Sequence, residues 1–215
     1  MKINYDLKFK EELKKIENTR PTLLLHVCCG PCSSNVLKEI CNLFDITIYY
    51  SNSNIYPSEE YYRRYHELLD FITRFNNDFN QNITVIEKTY QPKEYLNDIS
   101  KYKDEPEGGK RCYLCYQKRM DDAYNYAISH NFDYWTTVLS VSPHKNSQWI
   151  NEIGVSYPQE QTKFLFSDFK KNNGYLKSVQ MASSYNLYRQ SYCGCVYSYQ
   201  DMLKRKKERE NDEAT

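Results

Sequence analysis

The sequence contains no run of about 18 apolar residues, and its opening stretch, MKINYDLKFKEELKK, has neither an apolar h-region nor a small-residue cleavage site. A membrane span and a secretory signal are therefore not expected, and the chain reads as a soluble cytoplasmic protein. It has no excess of one charge either. With 29 basic and 28 acidic residues the net charge is +1, so the chain as a whole is not a basic nucleic-acid glue, and any contact with phosphate must be local. Glycine-rich phosphate loops are missing: there is no GxGxxG, no Walker motif and no SGGxDS of the ATP-dependent tRNA-modifying PP-loop enzymes. This weighs against nucleotide-driven chemistry. There is no internal repeat and no low-complexity linker, and 215 residues suit one domain with a core large enough to fold unaided.

What is present is thiol. Seven of the eight cysteines fall in three tight groups, Cys28, Cys29 and Cys32, then Cys112 and Cys115, then Cys193 and Cys195, leaving Cys41 alone. Disulfides do not normally persist in the cytoplasm, so this usage points to metal ligation or redox chemistry. Cys41 lies in a helical pattern and is read as packing. Twenty-two tyrosines could stack on unpaired bases, although their abundance alongside Asn, Lys and Ile also fits a compositional bias. The basic run KRKKER at 204–209 is followed by acidic residues and reads as a solvated helix tail.

Along the chain, helical and strand patterns alternate. A lead-in helix over 9–18 precedes Pro21, a first strand covers 22–27, and a helix runs from about 33 to 42 after the cysteine turn. Strands at 46–50, 83–86 and 134–139 alternate with helices over 58–75, 93–100, 113–130 and 146–153. Further helices are expected over 175–185 and from 198 onward. The implied architecture is a three-layer α/β fold with a parallel sheet flanked by helices. Its parts are a lead-in helix at 1–20, a single α/β domain at 21–203 and a charged tail at 204–215. Ligands of such sheets bind at the C-terminal strand ends, where the cysteine turn, the polar run after strand two and the loop SVSPHKN all fall.

Two CxxC pairs, Cys29 with Cys32 and Cys112 with Cys115, would ordinarily indicate a structural zinc site. A closed four-ligand site has no need of the additional Cys28, and the excess favours an iron–sulfur cluster or a second metal. The second pair begins a helix, where unpaired N–H groups favour thiolate. The CGC at 193–195 is different: a disulfide across it would close a very small, strained ring, so the pair is either redox-active or two further metal ligands. Of the histidines, His26 reads as a packed strand residue, His144 as the better site candidate, and His66 and His130 as ordinary helix residues.

Six motifs in order, HVCCGPCSS at 26–34, NSNIYPSEEYYRR at 52–64, RCYLCYQKRM at 111–120, SVSPHKN at 140–146, SDFKKNNGY at 167–175 and YRQSYCGCVYS at 188–198, resemble the QueH-type, cobalamin-independent epoxyqueuosine reductases. Gly30 stands where many members carry alanine. The resemblance implies a HUP-like fold and the last step of queuosine synthesis, reduction of the epoxide of epoxyqueuosine at the wobble position of tRNA. It also implies a [4Fe–4S] cluster on Cys28, Cys29, Cys112 and Cys115, a redox-active pair in Cys193 and Cys195, and an additional mononuclear iron to which Cys32 is a ligand candidate. Electrons would come from an unidentified donor. Protons would come from tyrosines or His144, and Arg63, Arg64, Lys110, Arg111 and Lys145 are the candidate phosphate contacts. The competing readings are a cluster-dependent tRNA thiolase and a zinc-stabilised RNA-binding module.

Overall fold

The structure is a computed structural model that describes residues 3–16 and 18–213. Met1, Lys2, Glu17, Ala214 and Thr215, which belong to the expected lead-in and tail segments, lie outside the described residues. At the centre are five parallel strands: β1 Thr22–His26, β2 Asp45–Tyr50, β3 Thr84–Glu87, β4 Tyr134–Thr137 and β5 Lys163–Phe164, in the order β3-β2-β1-β4-β5. Consecutive Leu23, Leu24 and Leu25 are all fully buried. Because neighbouring strand residues point to opposite faces, burial of all three requires both faces of the sheet to be covered.

The helices that cover it are α1 Tyr5–Ile16, α2 Gly30–Ile40, α3 Ser58–Phe79, α4 Pro92–Ile99, α5 Lys110–Ser129, α6 Ser147–Ser156, α7 Gly174–Ser184 and α8 Val196–Glu213. Helix α5 packs on β1 and β4, whereas α2 packs against α3 and α7. The lead-in helix α1 buries Tyr5, Phe9 and Ile16, and Phe9 meets Phe169 edge-on at 5.5 Å between ring centroids. None of the helices among the described residues is long and apolar enough to cross a membrane.

At the entry to the sheet, Thr22 and Asp133 bond reciprocally. The Asp133 carboxylate accepts from the Thr22 backbone N–H at 2.9 Å and its hydroxyl at 2.8 Å, while that hydroxyl accepts from the Asp133 N–H at 2.9 Å. This clamps the start of β1 to the start of β4.

Several boundaries differ from those read off the sequence. Helix α2 starts at Gly30, three residues early, because Pro31 needs no backbone N–H in a first turn. Helix α3 continues to Phe79 and stops at Asn80, left-handed at φ 50, whose N–H bonds the Asn76 carbonyl. Strand four ends at Thr137, and residues 138–141 tighten into a 3-10 turn. The two-residue β5 is too short to leave a periodic signal. The expected boundary at 203/204 falls within α8, whose residues 203–212 are all exposed.

The edge strand β5 is held by close packing with α6. A methyl added at Gly154 would fall 2.4 Å from the Phe164 ring, and Phe164 is itself buried against Trp135, 4.9 Å between centroids. Gly154→Ala is therefore expected to destabilise the protein by about 1–3 kcal/mol, measured as a lowered urea midpoint with unchanged slope.

Candidate metal centre

The strand order reverses between β1 and β4, so the chains leaving these two strands diverge and open a crevice at their C-terminal ends. Pairing along β1 ends at His26. The imidazole is fully buried, Nδ1 accepting from the Thr137 hydroxyl at 2.7 Å and Nε2 donating to the Ser51 carbonyl at 3.2 Å. Burial lowers its pKa to about 3, and the charge of Arg119 adds to this, so His26 is neutral and ties β1 to its neighbours. Beyond it the strand alternation no longer applies. Cys29 is extended at φ −171, Gly30 opens α2, and the Ser33 hydroxyl donates to the Gly30 carbonyl at 2.9 Å.

This turn gathers three sulfurs. Cys28 and Cys29 Sγ are 3.8 Å apart, Cys29 and Cys32 Sγ 2.6 Å, and all three lie within 4.8 Å of one another. Sulfurs about 2.3 Å from one tetrahedral ion stand about 3.8 Å apart: the Cys28–Cys29 separation matches this, whereas Cys29 and Cys32 stand closer than two ligands of one ion, and as soft donors the three suit a metal in chemistry. Cys28 is drawn well below the ordinary thiol range by hydrogen bonds from Cys29 and Cys32, against its burial and with help from Arg119 and Lys145. Cys29 is pushed up to about 12 by burial, and Cys32 is raised by its two sulfur neighbours.

The other two groups face the same crevice. Cys28, Cys32, Cys112 and Cys193 line one cavity of about 310 Å³, whereas Cys29, Cys115 and Cys195 stand outside its lining. Neither Cys112 nor Cys115 belongs to the close triad. Cys112 accepts from the Gly108 N–H at 3.2 Å, near the start of α5. Burial outweighs that hydrogen bond and raises the Cys112 thiol, and burial raises Cys115 to about 11.

The CGC lies on a strap, residues 188–195, laced to the body. Gln190 donates to Cys29 Sγ at 3.4 Å, and the Tyr192 hydroxyl to the Tyr56 carbonyl at 2.5 Å. The Tyr56 N–H bonds the Gly194 carbonyl at 2.8 Å. Arg64 Nη1 donates to the Cys193 carbonyl at 3.2 Å, while its Nε pairs with Glu60 at 2.7 Å. Cys193 and Cys195 are free thiols.

Of the five candidate phosphate contacts, Arg64 and Arg111 are corrected to structural roles. Both are buried, Arg64 by the bonds above and Arg111 by the Lys103 carbonyl at 2.8 Å. Arg63 stacks over Tyr188 at 3.4 Å, Lys110 is exposed, and Lys145 is half-buried on the cavity wall. His144 is an exposed residue of the cavity rim; His130 stacks on Tyr126 at 3.8 Å and His66 beside Tyr62 at 6.5 Å. Cys41 is buried, as its helical position implies. Sequence reasoning missed Arg119, Tyr116 and Gln190. For Arg119 a signal existed: it follows Cys115 by four residues on one helix and so shares its face.

A family model described as epoxyqueuosine reductase QueH matches residues 23–201. An epoxyqueuosine reductase QueH of Streptococcus pyogenes is 44% identical over 201 residues, covering 92% of this chain and 78% of that protein. One from Staphylococcus epidermidis is 40% identical over 203 residues, covering 92% and 85%. One from Thermotoga maritima is 33% identical over 179 residues, covering 82% and 90%. A solved NH3-dependent NAD synthetase from Campylobacter jejuni, in complex with the nitrate ion, aligns over 86% of this chain and 75% of its own. Its identity is 14% and its TM-score 0.37, too remote a likeness to carry weight.

Two glycines at the site should respond oppositely to a methyl group. At Gly30 a Cβ would meet Leu187 at 3.5 Å and Phe71 at 3.9 Å, ordinary contacts, so Gly30→Ala is expected to be neutral or stabilising by up to about 1 kcal/mol. Gly194 has φ +141, and its Cβ would come within 3.2 Å of Arg64 Nη1. Gly194→Ala should cost about 1–3 kcal/mol and loosen the strap, read as a lowered melting temperature with faster proteolysis at 188–195.

Proposed function

The chain belongs to the epoxyqueuosine reductase QueH family, and on that premise we propose that it reduces the epoxide of epoxyqueuosine in tRNA to the alkene of queuosine, in the cavity at the ends of β1 and β4. The observation that carries the reading is that Cys28, Cys32, Cys112 and Cys193, from three separated motifs of the matched span, line one cavity. In the reaction both C–O bonds of the epoxide break and the carbons are joined by the second bond of the alkene. The oxygen takes two protons and leaves as water, and two electrons are consumed.

We assign Cys28, Cys29, Cys112 and Cys115 to a [4Fe–4S] cluster and Cys32 to an additional mononuclear iron. When bound, these centres would supply electrons and polarise the epoxide oxygen. The chain's own groups do the rest. Lys145 and Arg119 place positive charge on the cavity wall, where it favours the negative charge that develops on the departing oxygen. Burial raises the Tyr116 phenol, which lines the cavity and so keeps its proton on Oη, available for donation, with His144 at the rim as the alternative donor. Cys193 and Cys195, closing to a disulfide, release two electrons and two protons, the number the reaction consumes. An external electron donor then reopens the pair. A cytoplasmic setting, in which the thiols are kept reduced, belongs to this proposal. So does the division into a catalytic domain at 21–203 with flanking segments 1–20 and 204–215.

Protein reconstituted anaerobically with iron and sulfide, then incubated with epoxyqueuosine-containing tRNA and a chemical reductant, should yield a nucleoside lighter by one oxygen on mass spectrometry of the digest. No conversion by a protein carrying its full iron content would sink the proposal, as would a colourless protein that takes up zinc and no iron. Cys28→Ser is expected to lose iron. Cys193→Ser should keep its iron and lose about tenfold or more in turnover; full turnover would remove the dithiol from the reaction.

A further inference from the structure

Of the five cations that line the cavity, Arg189 and Arg205 are exposed, and the three withdrawn from solvent, Arg64, Arg119 and Lys145, differ in their carboxylate partners. Arg64 is paired with Glu60 at 2.7 Å. Arg119 is 3% exposed and, among the described residues, ion-pairs with no carboxylate; its Nη2 donates to Asn52 Oδ1 at 2.7 Å, and its Nε has no partner. Lys145, half-buried on the cavity wall, likewise has no carboxylate partner among the described residues.

A buried guanidinium without an anion is strongly unfavourable, so the anion must be sought among its neighbours. Arg119 and Lys145 line the same cavity as Cys28, Cys32, Cys112 and Cys193. Thiols lose their protons on ligating metal, so the anions that face these two cations are sulfur. The position of Arg119 is also mechanically determined. It follows Cys115 by one helical turn, and through Asn52, whose Nδ2 donates to the Val27 carbonyl at 2.8 Å, it is tied to the residue just before Cys28. The guanidinium therefore bridges the two cysteine motifs.

We propose that Arg119, together with Lys145, is the built-in countercharge of an anionic iron–sulfur centre held between the turn after β1 and the start of α5, and that it sets the reduction potential of that centre. The inference rests on the cluster assignment above. A [4Fe–4S] core in its oxidised, doubly positive state with four thiolates carries two net negative charges, and Arg119 and Lys145 supply two positive ones. One-electron reduction makes the centre more negative still. Fixed cations in a site of low dielectric stabilise the reduced state more than the oxidised one, so they raise the potential.

The test is a potentiometric titration, followed by electron paramagnetic resonance, of the anaerobically reconstituted full chain and its Arg119→Met, Arg119→Lys and Lys145→Met variants, with iron content measured on each. Arg119→Met and Lys145→Met should each shift the midpoint to more negative potential, and Arg119→Lys should remain near wild type. Should Arg119→Met fail to fold, the other two variants decide. An unchanged midpoint in an iron-loaded Lys145→Met, or an Arg119→Lys shifted as far as loss of the charge would predict, overturns the countercharge proposal and leaves the cluster assignment standing. A wild-type protein that loads zinc alone overturns both.

Discussion

Pairing along β1 stops at His26, and within four residues the chain has turned into α2. On this short transition the site depends. A strand that continued through Cys29 would send the two adjacent thiols to opposite faces of the sheet; ending it frees Cys28 and Cys29 from that alternation, and the first turn of α2 brings Cys32 back beside them. The neutral imidazole of His26, bonded to Thr137 and to the Ser51 carbonyl, fastens this strand end to its neighbours. Because β1 is central in the sheet and β4 lies beside it, the loops after both strands open onto one crevice.

Burial then sets the chemistry. Removed from water, most of the thiols are pushed toward their protonated forms, and Cys28 stays an exception only through its sulfur neighbours and the nearby cations. The same low dielectric makes Arg119 expensive to bury: it bonds Asn52 and faces the cysteine cavity with no carboxylate beside it among the described residues. Arg64 follows the other pattern. Its Nε pairs with Glu60 and its Nη1 donates to the Cys193 carbonyl, with Nη2 left without a partner, so it acts as a fastening for the strap.

The strap joins the last cysteine group to the first. Four of its hydrogen bonds, from Gln190 to Cys29, from Arg64 to Cys193 and in both directions between Tyr56 and the strap, span well over a hundred residues of sequence. Gly194, at positive φ, permits the close approach to Arg64 and Asn54 that these bonds require. On this segment Cys193 stands in the cavity lining just before α8 begins.

The sequence by itself determined the parallel α/β architecture, through the alternation of strand and helix patterns, and the cysteine groupings, through spacing. It also marked His26 as packed and Cys41 as core, because a side chain inside a short buried element has few other options. Local pattern did not reveal β5, whose two residues depend on pairing with β4 and packing beneath α6. Only the tertiary structure decided which basic residues are free. Arg64 and Arg111 look alike in sequence to any solvated arginine, yet each is held by partners that come together through folding, while Arg119 bonds Asn52 at the wall of the cysteine cavity. Charge and acidity belong to the assembled environment, since desolvation and facing charges come from elements distant in the chain, and no spacing rule within one helix or turn contains them.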